Sequence, residues 1–173
     1  IFGQALSGVK TRETYLFQQE SLLPWRTVID KVCLGLTIRG MSRAEARAEG
    51  RALFARVGLA GFEDRFPYQL SGGMRKRAAV AQSWIVDPRI LLMDEPFGAL
   101  DVQTRQNMEN ELLDLWLESR KTVLFITHDL EEVISCSYRV VVRSASPARI
   151  RGIYEVDLGR TRHVAEVRLN SRF

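Results

Sequence analysis

No apolar stretch in this 173-residue chain approaches the roughly 20 residues that a bilayer-crossing helix needs, so no membrane span is expected. Cysteine is scarce. Cys33 and Cys136 stand far apart and fit no metal-ligand spacing, which points to reduced, buried thiols rather than a disulfide framework or a zinc site. Charge of one sign is not massed either: the net charge is +4 with basic residues scattered, so nucleic-acid binding is not indicated. Internal repeats, low-complexity tracts and a signal peptide are all missing, and the first residue is Ile1 rather than methionine, which leaves open a start further upstream. What is present is ordinary. With 46% hydrophobic and 27% charged residues, the chain has the composition and length of one globular domain with a real core.

The most informative stretch runs from Ile90 to Asp101. Ile90, Leu91, Leu92 and Met93 read as a short strand buried on both faces, as in a parallel sheet. Pro96 cannot donate to a ladder, so the strand is expected to stop beside Asp94 and Glu95. That places two carboxylates at the carboxyl end of a strand, where open α/β sheets hold their ligands. Neighbouring strand residues point to opposite faces, so the two should do different work. One can hold a hard cation such as Mg²⁺ through water, and the other can orient a water for attack on phosphorus.

Earlier in the chain, residues 1–20 read as a strand, a polar turn and a second strand ending at Leu16-Phe17. Gly3, Gly8, Lys10 and Thr11 imitate a phosphate-cradling glycine loop, but Val9 displaces the lysine, and strand and helix are missing on either side. This stretch is read as an ordinary turn. Leu22-Leu23-Pro24-Trp25 follows, then an apolar-rich segment through Val28, Val32 and Leu36. Ser42 with Glu45 forms a capping box for a surface helix to Val57, closed by Gly58. Ser71 is a good N-cap for a helix to Val86, and Gly72 and Gly73 leave bare amides at its start, an anion site by dipole and by unpaired N–H groups. Asp87-Pro88 breaks that helix.

Beyond Asp101 an amphipathic helix to Arg120 carries Met108, Leu112, Leu115 and Trp116 on one side. Residues Thr122 to Thr127 read as a second buried strand ending at His128-Asp129, and Val140 to Val142 and Ile150 to Val156 supply two more. Alternating strands and helices predict an α/β fold.

In order, these pieces resemble the nucleotide-binding subunit of an ABC transporter. Gln18 matches the Q-loop glutamine, and Leu70 to Met74 the LSGGQ signature with methionine in the last place. Ile90 to Glu95 matches the Walker B strand, Ala99-Leu100-Asp101 the D-loop, and His128 the switch histidine. The Leu-Leu-Pro-Trp and Asp-Glu-Pro-Phe-Gly-Ala-Leu-Asp runs look most like the nitrate/sulfonate/taurine importer branch. Gln82-Ser83-Trp84 departs from the family's usual Arg-Ala-Leu, and Trp84 is bulky for a core.

The resemblance implies a P-loop NTPase-type fold with a helical subdomain. Residues 1–20 would be a remnant of N-terminal strands and Q-loop, 21–86 the helical subdomain with the signature, and 87–173 the sheet core. It implies ATP and Mg²⁺. Asp94 would hold the metal through water, Glu95 would be the general base, and His128 would contact the γ-phosphate. Gln18 would sense metal and attacking water. Ser71, Gly72 and Gly73 would bind the γ-phosphate of ATP held by a second copy, and Asp101 would line the dimer seam. Expected partners are a second copy, transmembrane permease subunits and, indirectly, a periplasmic solute-binding protein, with the subunit peripheral on the cytoplasmic face of the membrane. The loop from Gln18 to about Leu34 would touch the permease.

In this family the phosphate-cradling loop and the adenine-stacking aromatic precede the Q-loop. The chain is therefore expected to be a fragment or degenerate copy, inactive alone, and its end at Asn170-Ser171-Arg172-Phe173 looks cut short. The alternatives are a non-hydrolytic docking module on a permease or partner ATPase, and a soluble ABC ATPase of DNA repair or translation; the second usually carries inserted arms that this chain lacks.

Overall fold

A computed structural model describes residues 12–18, 23–98 and 100–158. The glycine-rich imitation at Gly3–Thr11, Leu22, Ala99 and the C-terminal Asn170–Phe173 lie outside the described residues. The chain divides into two compact units: residues up to 96 together with 121–124, and residues 97–120 together with those from 125 onward.

The first unit joins a small sheet to a helical layer. β1 (Glu13–Leu16) pairs in parallel with β2 (Ile90–Asp94), Leu16 opposite Met93. β3 (Thr122–Ile126), of which residues 122–124 belong to this unit, follows in the strand order β1-β2-β3. Leu91 and Met93 of β2 are buried, whereas Ile90 and Leu92 are only half-buried. β3 departs further from expectation: Leu124 and Ile126 are 56% and 52% exposed. Among the described strands β3 lies at the sheet's edge, where neighbours cover less of each side chain.

The apolar segment after Pro24 forms two short helices, α1 (Val28–Val32) and α2 (Leu34–Ile38), with Pro24 in the preceding turn. α3 (Arg43–Arg56) opens with the expected capping box, Ser42 with Glu45, and Gly58 follows it at φ +65°, a left-handed conformation that glycine adopts without a Cβ penalty. α4 (Gly72–Ile85) is capped by Ser71, whose Oγ accepts from the Met74 amide at 3.3 Å. α1 packs on α3 and α4 through Val28, Ile29, Val32, Leu53, Phe54 and Val80, all buried. α3 is thus not merely a solvated helix; one face is core.

Cys33 is a buried thiol donating to the Ala46 carbonyl, and burial pushes its pKa up to about 11. Cys136 is only half-buried, so the expectation of two buried thiols holds for Cys33 alone. Trp84 is accommodated at 6% exposure, with the Lys121 ammonium 5.3 Å from its ring centroid and paired to Asp87.

The second unit contains α5 (Val102–Ser119), α6 (Leu130–Cys136) and an antiparallel hairpin of β4 (Arg139–Arg143) and β5 (Ile150–Glu155). Met108, Leu112 and Leu115 form the predicted apolar stripe of α5, and Trp116 sits against Tyr138 with ring centroids 5.4 Å apart.

Candidate functional site

β2 ends at Asp94, and the chain turns sharply at Glu95, whose φ is +43°. A left-handed conformation at a glutamate costs about 1 kcal/mol or more, and such residues cluster where the fold needs a side chain aimed a particular way. Buried Pro96 follows, in agreement with the expected stop. Gln18, 77 residues earlier, donates from Nε2 to Glu95 Oε2 at 2.9 Å. The backbone carbonyl of the same Gln18 accepts from Lys76 Nζ at 2.8 Å. Tyr15 donates its hydroxyl to Asp94 Oδ2 at 3.1 Å, and that hydrogen bond raises the tyrosine's own pKa. Three of the residues singled out from sequence, Gln18, Asp94 and Glu95, are therefore brought together at the carboxyl end of β2.

The donor set at this point is hard oxygen: the Asp94 carboxylate, with the Glu95 carboxylate and its partner Gln18 following it at the end of β2. Among the described residues no group of three or more His, Cys, Asp or Glu forms a ready-made metal cage. One or two protein oxygens completed by water and phosphate suit Mg²⁺, which dehydrates reluctantly.

The signature segment lies at the other end of α4's first turn. Ser71 and Gly72 are exposed, and a Cβ built on Gly72 meets nothing nearer than Arg75 Nη2 at 3.8 Å. The fold itself does not require glycine there. Bare amides at the start of a 14-residue helix are an anion-binding feature.

Asp101 and His128 belong to the second unit. Asp101 caps α5, its Oδ1 accepting from the Thr104 amide at 3.0 Å, and hydrogen bonding to Thr104 holds its pKa below the usual carboxylate range. His128 follows β3 and is exposed; its electrostatic effect reaches Glu132. Between these positions runs a partly buried polar network. Arg105 Nη1 pairs with Asp129 Oδ2 at 2.6 Å, its Nη2 donates to the Leu100 carbonyl at 3.3 Å, and its Nε lies 3.8 Å from Glu132 Oε1. Thr127 Oγ1 donates to Glu132 Oε2 at 2.6 Å, and Asp129 caps α6. Glu109, one turn beyond Arg105, is 2% exposed, and burial pushes its pKa up to about 7.

Sequence reasoning missed Tyr15, Lys76 and Arg105. Lys76 carried a legible sign, since it lies three, four and seven residues before Ala79, Val80 and Ser83 on the buried face of α4. Tyr15 and Arg105 act over distances that no local pattern reveals.

A further feature of the first unit is an apolar groove of about 290 Å³, lined among others by Phe17, Leu34, Gly35, Ile38, Gln82 and Val86. Phe17 and Ile38 at its rim are 56% and 76% exposed. Trp25 is 70% exposed, while Val32 is fully buried and cannot border a docking surface. Among the described residues no helix is long and apolar enough to cross a membrane.

Comparison with known proteins gives the family. Residues 4–98 match the family model for ABC transporters. The chain is 47% identical over 160 residues to an ABC transporter ATP-binding protein of Methanocaldococcus jannaschii, covering 92% of this chain and 60% of that one. It is 46% identical over 145 residues to the taurine import ATP-binding protein TauB of Yersinia pestis, covering 84% and 57% respectively. The corresponding TauB of Pseudomonas syringae is 43% identical over 158 residues, 91% of this chain and 60% of that protein. The chain thus spans about three-fifths of the length of these curated relatives. It belongs to the ABC transporter family, in the branch that includes the taurine-import ATP-binding proteins.

Proposed function

We propose that the protein is the ATP-hydrolysing, energising subunit of an importer for a small solute such as nitrate, a sulfonate or taurine. The observation that carries this reading is the Gln18–Glu95 hydrogen bond beside Asp94, on a left-handed turn at the end of β2. Similarity to the taurine-import proteins supports the solute class.

In this reading Glu95 is the general base. Gln18 fixes one carboxylate oxygen, so the carboxylate meets an incoming water in one orientation and takes its proton as the oxygen attacks the γ-phosphorus and the bond to the β,γ-bridging oxygen breaks, releasing ADP. Asp94, with its other oxygen steadied by Tyr15, would hold Mg²⁺ through water, together with the Gln18 amide oxygen. The metal supplies charge neutralisation on the phosphates. His128 is assigned the γ-phosphate. Ser71, Gly72 and Gly73 offer the α4 amides to the γ-phosphate bound by a second copy, and Asp101 lies along the seam of that homodimer. The division into residues 1–20, 21–86 and 87–173 assigns the catalytic carboxylates to the last segment and the signature to the middle one.

The apolar groove between β1, α2 and α4, with Trp25 outside it, is the surface assigned to a short cytoplasmic helix of the permease. In this reading the subunit lies on the cytoplasmic face of the membrane, and a periplasmic solute-binding protein acts through the permease.

Glu95→Gln tests the central assignment. The amide keeps the shape and the Gln18 contact but accepts no proton, so turnover of the full-length subunit is expected to fall by at least about a hundredfold while ATP still binds. Isothermal calorimetry and phosphate release measure the two quantities. Turnover at the wild-type rate would remove Glu95 from the role of base.

A further inference from the structure

α4 starts at the exposed Ser71–Gly72 turn, and its second turn carries Lys76, which is only 4% exposed. An ammonium buried this far has lost most of its hydration and keeps its charge only where oxygen atoms replace the water. Lys76 Nζ donates to the Gln18 carbonyl at 2.8 Å, across 58 residues of sequence. Gln18 in turn donates from its side chain to Glu95 Oε2. Past the last ladder pair, Leu16 with Met93, the backbone at Gln18 is held by this lysine. A continuous path therefore runs from α4 through Lys76 and Gln18 to Glu95, all of it within the first unit.

We propose that Lys76 is a positioning residue that ties the N-terminal end of α4 to the Glu95 carboxylate through Gln18. The inference rests on the reading above, in which Glu95 serves the chain's own ATP and the α4 N-terminus serves the ATP of a second copy. Lys76 then links one ATP site to the other. A nucleotide seated against Ser71–Gly73 fixes α4, α4 fixes Gln18, and Gln18 fixes the base. The link is mechanical: it aligns a proton acceptor and makes no contact with substrate.

Lys76→Met tests it, because methionine keeps an unbranched stem of similar length and is at home in a core. The Gln18 carbonyl loses its donor while the helix keeps its packing. In the full-length subunit kcat is expected to fall about ten- to a hundredfold, with KM for ATP nearly unchanged and the Hill coefficient for ATP dropping toward one. Lys76→Arg, which keeps charge and donors, should restore both. Hydrogen exchange at residues 12–18 should quicken in Lys76→Met and not in Lys76→Arg, a readout that needs no turnover. If Lys76→Met fails to fold, Lys76→Gln, polar but too short to reach Gln18, replaces it with the same expected losses. Unchanged exchange at residues 12–18 overturns the anchoring, and cooperative, wild-type turnover overturns the link between sites. Wild-type turnover in Glu95→Gln would instead sink the reading of Glu95, while the exchange result stood.

Discussion

Glu109 shows how one side chain can set a pH dependence. Its carboxyl is 2% exposed, and its Oε2 has no hydrogen-bond partner among the described residues. Burial first, then the neighbouring Glu132, push its pKa from 4.5 up to about 7, with Asp129 and Glu131 adding to the rise and Arg105 opposing it. Glu132 is raised as well, by its own burial. A carboxyl whose pKa is higher in the folded than in the unfolded chain stabilises the fold fully below the unfolded value. That contribution is lost as pH rises through the folded value. Stability should therefore decline between about pH 4.5 and somewhat above pH 7, by at most about 3 kcal/mol from Glu109. Lys31, 1% exposed and pushed down to about 8 by burial, carries its full penalty throughout that window and changes only above it. Glu109→Gln should flatten the slope and raise stability at about pH 8, as read by urea unfolding at about pH 5.5 and pH 8. An unchanged slope in Glu109→Gln would assign the dependence to Glu132 or another group.

Elements constrain one another tightly where α1 packs on α3. Gly50 sits on the buried face of α3, and a Cβ added there would lie 2.5 Å from Cys33 Sγ and 3.2 Å from Ile29 Cγ1. Alanine is the better helix former by about 1 kcal/mol, yet forcing a methyl into a packed contact typically costs about 1–3 kcal/mol. Overpacking should win, so Gly50→Ala is expected to lower stability by about 1–2 kcal/mol, as a shift of the urea midpoint at constant slope. A midpoint at or above wild type would show that Cys33 moves aside freely. The same spacing logic explains what could be read from sequence. Caps and breakers were legible because their chemistry is local: Ser42 with Glu45, Ser71, Asp87-Pro88 and Pro96 all mark element ends as expected. The β2 carboxylates were legible because Pro96 ends the apolar run beside them and the motifs upstream and downstream follow in the matching order. Burial of β3 was not, since an apolar pentapeptide reads alike at a sheet's centre and at its edge. Nor was the Tyr15–Asp94 contact, which depends on the parallel register of residues 79 apart.

The molecule as a whole exposes apolar groups that a solitary protein has little reason to keep in water. Trp25, Ile38 and Tyr68 are 70%, 76% and 75% exposed, and Trp25 follows Gln18 by only seven residues. Single exposed apolar residues are common, and one alone would need no explanation. Here the groove bounded by Phe17 and Ile38 opens on the same unit, and its floor reaches α4, the helix that carries Lys76 and the signature turn. In the proposed reading, a permease helix seated in that groove would press on α4, the element proposed to report to Glu95, and would give the docking surface a route to the chemistry. The exposure of Trp25 favours a contact surface over a small local core under the loop. Truncating a side chain that is 70% exposed removes little packing, so Trp25→Ala should leave the melting temperature of the subunit within about 1–2 °C of wild type. At an interface the same truncation typically costs about 2 kcal/mol or more, because tryptophan is a frequent anchor, so co-purification with the permease should fall by roughly thirtyfold in apparent affinity. The paired measurement separates the alternatives. A large drop in melting temperature with normal assembly would make Trp25 a packing residue of the subunit, and the coupling role would have to move to the groove rim at Phe17 and Ile38.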